Sequence, residues 1–193
     1  MPPVIYFIRH GETDWNAEAR LQGQTDIPLN GLGRKQAAEA GAILRDATSG
    51  YRELDYVASP LDRTRQTMEI LRDTLGLPPA QYRMDSRLKE LTFGRWEGLT
   101  WKEVRRKDPS GASAREEDKW NMVPPGGESY AMLVQRVAPL IEELTRECCI
   151  VAHGGVARAL MVLIGGIDTD DAPTRDIWQG KVLKFADGKA DWI

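Results

Sequence analysis

Five consecutive apolar residues, Val4-Ile5-Tyr6-Phe7-Ile8, stand near the start of the chain and stop abruptly at Arg9-His10-Gly11. A strand with one wet face alternates apolar and polar residues, so an unbroken apolar run of this length fits a strand covered on both faces. Cys148-Cys149-Ile150-Val151-Ala152 has the same character and stops at His153-Gly154-Gly155. Strands of this kind belong to parallel sheets with helices packed on either side.

The segments between them supply those helices. Gly31 to Leu44 is rich in good helix formers. Leu54 to Ala58 reads as another short strand, and Ser59-Pro60-Leu61-Asp62 then opens a helix, with Ser59 as N-cap, Pro60 in the first helical position and Asp62 completing a capping-box pattern. That helix is expected to run to Leu75 and stop at Gly76. Gln81 to Asp85 is a weak strand; Leu99 to Lys107, Ser129 to Arg146 and Gly154 to Ile164 read as helices, with a loop at Pro124-Pro125-Gly126-Gly127. Lys181 to Phe185 and Ala190 to Ile193 flank Asp187-Gly188, a pair suited to a tight hairpin turn. The order predicts one domain over residues 1–193, an α/β fold with three α/β/α layers, a mostly parallel central sheet and antiparallel additions near the C-terminus.

Composition sets the outer limits. With 193 residues, 41% of them apolar, the chain can fill one core, and a net charge of −3 implies no nucleic-acid partner. The N-terminal run is too short to span a bilayer and lacks the basic flank of a signal peptide, so a cytoplasmic location without membrane attachment is expected. Cys148 and Cys149 are adjacent on a strand, where buried small hydrophobes are the better reading than a redox pair.

In open α/β sheets, ligands bind beyond the carboxyl ends of the strands. Both histidines of the chain, His10 and His153, fall at such ends, and they should face one another across one crevice. Each is followed by glycine, which would let the backbone approach a ligand. Two histidines cannot complete a zinc site, and no spacing of cysteine or histidine helps them, so no metal is expected. Arg63 falls in the first turn of its helix, where the macrodipole disfavours a cation by about 0.3–1 kcal/mol. A bound anion would reverse that sign; a plain surface arginine is the other reading, and the two stay open.

These segments resemble the histidine phosphatase superfamily, which includes cofactor-dependent phosphoglycerate mutases and many phosphomonoesterases. The resemblance rests on "RHGETDWN", "QGQTDIPLNGLGRKQA", "SPLDRTRQT", "LKELTFGRWEG", "PPGGES" and "VAHGGVARAL", in that order, from Ile5 to about Leu160. It implies a phosphoglycerate mutase-like fold and a phosphomonoesterase that needs neither metal nor cofactor and acts on a small-molecule phosphate ester. His10 aligns with the nucleophile that becomes phosphorylated; Arg9, Asn16, Arg63 and His153 align with the phosphate pocket, and Glu90 with the proton donor. Gln22, Gly23, Thr25, Glu128 and Gly154 fall in matching segments whose roles vary among relatives.

Asp62, Asp85 and Glu97 are rival acids that the residues alone rank poorly against Glu90. A protonated His153 is expected to add positive charge to the pocket. Glu12 and Thr13 read as supports, Glu12 being either a brace for its basic neighbours or a solvated loop acid. Trp15, Trp96 and Trp101 read as packing between loop and core rather than as a stacking platform. The stretch "EVRRKDPSGASAREEDKW" mixes basic and acidic residues and reads as solvated helix and loop, although Arg105, Arg106 and Lys107 could reach a distal anion. A mutase, needing a second phosphate site, and a phosphate-binding protein without turnover are the alternatives. Oligomeric state stays open, a homodimer being compatible with the chain.

Overall fold

The computed structural model describes residues 2–193. In chain order the elements are β1 (Ile5–Arg9), α1 (Asp14–Ala17), α2 (Gly31–Ala47), β2 (Asp55–Ala58), α3 (Asp62–Thr74), β3 (Arg83–Met84), α4 (Trp101–Lys107), α5 (Pro109–Glu117), α6 (Tyr130–Glu143), β4 (Cys148–Ala152), α7 (Gly154–Ile164), β5 (Leu183–Ala186) and β6 (Lys189–Trp192). One six-stranded sheet has the order β3-β2-β4-β1-β5-β6. The first four strands in that order are parallel, and β5 and β6 add antiparallel pairs beyond β1. The mostly parallel sheet and its antiparallel C-terminal edge match the expectation.

The apolar runs are unbroken because both faces of the sheet are covered. Ile5, Phe7, Cys148, Ile150 and Ala152 pack with Leu133, Val137 and Leu140 of α6 and Val156 and Leu160 of α7. Tyr6, Ile8, Cys149 and Val151 point the other way, against Ala40 and Leu44 of α2 and Met68 and Leu71 of α3. Both cysteines are free and fully buried. Burial pushes the Cys148 thiol up to about 12 and the Cys149 thiol well above its ordinary range, which agrees with their reading as small hydrophobes. No helix among the described residues is long and apolar enough to cross a membrane.

Local chemistry sets most of the boundaries. Asn30 caps α2 by accepting from the Gly33 N–H at 2.9 Å. Asp187 and Gly188 both have positive φ, 51° and 73°, as a two-residue turn between β5 and β6 requires. Thr13 and Asn16 form a capping box for the short α1.

One expectation needs correction. Helix α3 begins at Asp62, and its N-cap residue is Leu61, which makes no side-chain cap bond. Ser59 lies three residues before the helix starts, and its hydroxyl meets the His153 ring at 2.8 Å and the Leu61 N–H at 3.5 Å. The capping carboxylate comes from elsewhere in the chain: Asp26 accepts from the Asp62 N–H at 3.0 and 3.1 Å. The stretch read as solvated helix and loop does hold α5, a nine-residue helix that is mostly exposed, and only Ala112 and Arg115 of it are buried. Its Arg115 is only 7% exposed.

Candidate active site

The parallel register brings the strand exits together. Arg9 lies beside Ala152, and Ala58 beside Val151. Beyond those pairs the His10 N–H donates to the Ala152 carbonyl and the Ser59 N–H to the Val151 carbonyl, both at 3.0 Å. With β4 between β1 and β2 in the sheet, His153 emerges flanked by His10 on one side and Ser59 on the other. The two imidazoles meet edge to face, with centroids 5.2 Å apart.

Each ring is oriented by one hydrogen bond. His10 Nδ1 lies 2.8 Å from the Gly11 carbonyl oxygen and donates to it, which leaves Nε2 as the nitrogen with a free lone pair. His153 Nε2 lies 2.8 Å from Ser59 Oγ, so Nδ1 is the atom left for a ligand. Burial, then the Arg63 charge, holds both rings well below the ordinary histidine value. In the free protein this disfavours the protonated His153 expected from sequence, and a bound anion would oppose that shift. A neutral ring with its proton on Nδ1 still donates one hydrogen bond.

Two guanidinium groups supply the positive charge. Arg9, at the end of β1, donates from Nη1 to the Ile177 carbonyl at 2.8 Å. Arg63, in the first turn of α3 and 1% exposed, donates to the carbonyls of Thr25 and Gly23 at 2.9 and 2.7 Å. Burial lowers both, Arg9 to about 10. Arg63 is therefore no surface arginine, although Asp26, 3.8 Å away, supplies part of the charge that the helix terminus asks for. Arg9 Nε, Arg63 Nε, His153 Nδ1 and Gln22 Oε1 are buried without a hydrogen-bond partner among the described residues. Unpaired buried polar atoms are expensive; Arg9, Arg63 and Gln22 line one cleft with His10, and His153 sits behind His10, fully buried.

Glu90 completes the wall. Its carboxylate accepts from the Leu91 N–H and from the Gly155 N–H in the first turn of α7, both at 3.0 Å. Glycine at position 155 leaves room for the carboxylate, because a Cβ would run into Glu90 Oε1. The rival acids are occupied elsewhere. Glu97 accepts from Gln24, Thr25, Thr92 and Phe93 and ties two loops together; Asp85 is paired with Arg87 at 2.7 Å; Asp62 is exposed at the start of α3.

Arg9, His10, Asn16, Gln22, Gly23, Arg63, Glu90 and Gly154 all line one cleft of about 180 Å³. Thr25 bonds Glu97, Glu128 pairs with Arg136 at 2.7 Å and Glu12 accepts from Asn30, and none of the three lines the cleft. Gly11 serves packing rather than a ligand, since a Cβ there would strike the Gly33 carbonyl of α2. Trp96 is buried, as expected, whereas Trp101 is 36% exposed.

Sequence reading missed two residues. Gln179 donates to the His10 carbonyl and to Asn16 Oδ1, both at 3.1 Å, holding the asparagine from a distant segment with no motif to announce it. Arg158 lines the cleft, and its Nη1 and Arg9 Nε both lie close to Gly154. Its place one helical turn after Gly154, on the same face of α7, was the available signal.

A sequence model of the histidine phosphatase superfamily (branch 1) matches residues 5–189. A glucosyl-3-phosphoglycerate phosphatase from Mycolicibacterium vanbaalenii is 35% identical over 182 residues, covering 88% of this chain and 77% of that protein. A metal-independent phosphoserine phosphatase from Arabidopsis thaliana is 35% identical over 166 residues, covering 83% and 68%. Among solved structures, a mycobacterial glucosyl-3-phosphoglycerate phosphatase in complex with VO3 superposes with a TM-score of 0.82 at 31% identity, covering 99% of this chain and 96% of that one.

Proposed function

Because the chain belongs to the histidine phosphatase superfamily (branch 1), we propose that it hydrolyses small phosphate monoesters through a phosphohistidine formed on His10. That it is a phosphoric monoester hydrolase follows from the family and from relatives that are phosphatases. The intermediate, the residue roles and the kind of substrate are our reading, and the relatives' names, each naming a small phosphorylated metabolite, support a small substrate.

The observation that carries the reading is the set of three buried side-chain nitrogens without a partner, Arg9 Nε, Arg63 Nε and His153 Nδ1, on residues grouped around His10, whose own Nε2 is free; we read the His153 nitrogen as carrying its proton, with Ser59 donating to Nε2. A phosphoryl group in that space accepts from all three. As its charge spreads over the equatorial oxygens, those bonds strengthen, which is where positioned donors accelerate phosphoryl transfer. Asn16 and Gly154 lie on the same wall and extend the ring of donors.

The lone pair of His10 Nε2 forms the N–P bond as the ester P–O bond breaks. The departing oxygen takes the proton of the Glu90 carboxyl. Water then attacks phosphorus and passes a proton to the Glu90 carboxylate, and the N–P bonding pair returns to the imidazole. Inorganic phosphate leaves, and both groups regain their starting state.

His10→Ala tests this directly. Removing the attacking nitrogen is expected to lower kcat with p-nitrophenyl phosphate by roughly 10³-fold or more and to abolish an acid-labile, base-stable phosphoprotein trapped by rapid quench. Wild-type turnover without such a phosphoprotein, together with an active His10→Ala variant, would overturn the mechanism.

A further inference from the structure

Beside the phosphoryl cleft lies a larger one of about 680 Å³. The two share Leu21, Phe93, Tyr130 and Arg158 as common wall, so whatever is esterified to a phosphate in the smaller cleft extends into the larger. The far wall comes from α4 and α5, the stretch that sequence reading took as solvated.

Arg115 of α5 is the unusual group there. It is 7% exposed, and its guanidinium centre lies 5.8, 5.9 and 5.6 Å from the ring centroids of Phe93, Trp101 and Tyr130. Its one hydrogen bond to backbone, from Nη1 to the Lys119 carbonyl, is long at 3.3 Å. No carboxylate among the described residues pairs with it. A cation buried against aromatic faces recovers part of its lost hydration, and a buried charge with no counter-ion remains costly. Burial accordingly pulls its pKa down.

The rest of the lining leans the same way. Arg158 is held by the Arg175 carbonyl at 2.8 and 3.0 Å and by the Tyr130 hydroxyl at 3.4 Å, with no acid partner among the described residues. Arg105 and Lys119 stand at the same cleft, and Glu116, 3.9 Å from Arg105, is the one acid in the lining. Four cations thus face one carboxylate in a chain whose net charge is −3.

We propose that this cleft receives the leaving-group half of the substrate and that Arg115 bonds a second anionic group there, so that the substrate class is phosphomonoesters bearing a carboxylate or a further phosphate. The planar fork of the guanidinium suits either oxyanion. The proposal takes from the hydrolase reading only that the phosphoryl group occupies the neighbouring cleft.

The test compares matched ligands that differ by one anionic group: 3-phosphoglycerate with glycerol 3-phosphate, and propane-1,3-diol bisphosphate with 3-hydroxypropyl phosphate. Dissociation constants are measured by calorimetry on the inert His10→Ala protein, and again with Arg115→Gln or Arg115→Lys added. In His10→Ala the doubly anionic member of at least one pair is expected to bind about tenfold more tightly or better, as a charge-assisted contact implies. Arg115→Gln brings that ratio close to one, and Arg115→Lys restores part of it. The pair that responds distinguishes carboxylate from phosphate. Each ratio is taken within one protein, so a loss of folded material does not mimic the effect. Ratios near one for both pairs, or a ratio that Arg115→Gln leaves intact, overturn the proposal. Failure of the hydrolase reading is seen separately, as wild-type protein that turns over no phosphomonoester.

Discussion

His10 and His153, near opposite ends of the chain, meet with ring centroids 5.2 Å apart and planes inclined at 61°. Neighbouring parallel strands make this contact unavoidable once each ends in a histidine. The same contact limits the charge the pair can carry, since two imidazolium ions at this distance, with two buried arginines beside them, would repel strongly.

Stability should therefore fall on mild acidification. Both histidines have native pKa values well below their ordinary 6.5, so below that pH the unfolded chain binds protons that the native state refuses. The native state then loses stability as pH drops from about 6.5 toward the native values, and the loss levels off beneath them. The slope is at most about 1.4 kcal/mol per pH unit for each histidine. Urea unfolding between pH 7.5 and 5 reads this, and a flat profile would contradict it. Inorganic phosphate, bound by the native state, should offset the loss.

Ser59→Ala separates the observed role of the serine from a capping role. Because α3 starts at Asp62 with Asp26 over its end, the substitution removes no helix cap. It strips His153 Nε2 of its 2.8 Å partner, leaving a buried ring nitrogen unpaired at about 1–3 kcal/mol and the tautomer free to change. kcat/KM should fall roughly 10–100-fold, with partial recovery in Ser59→Thr. Nitrogen-15 shifts of His153 should move with the activity, whereas a lost cap would leave them in place.

The extent to which sequence revealed this site follows from the kind of force that places each residue. His10 and His153 were readable because unbroken apolar runs mark buried parallel strands, and ligands gather where such strands end. Arg9, Arg63 and Glu90 stood out through the family resemblance, since nothing in periodicity separates Glu90 from Glu97. The capping of α3 by Asp26 was hidden because a carboxylate from another loop leaves no local pattern. Arg115 was hidden for a different reason: α5 contributes few apolar residues, and the arginine is buried with its guanidinium near three aromatic rings, which hydrophobic patterning records as polar.

Leaving-group dependence offers the sharpest check on Glu90. A carboxyl that protonates the departing oxygen matters little for an ester whose leaving group is stable as an anion, such as p-nitrophenolate, and matters greatly for an alkoxide. Glu90→Gln should accordingly slow alkyl phosphates by roughly 10²–10⁴-fold and p-nitrophenyl phosphate far less, so that log kcat falls more steeply with leaving-group pKa than in the wild type. Gly155→Ala should tilt the same plot in the same sense and to a smaller degree, because the new methyl group meets Glu90 Oε1 and displaces the acid without removing it. A structural role for Glu90, bracing the 3.0 Å bond to the Gly155 N–H, would instead slow every ester by a similar factor. Parallel plots for wild type and Glu90→Gln would take the proton-donor role away from this residue.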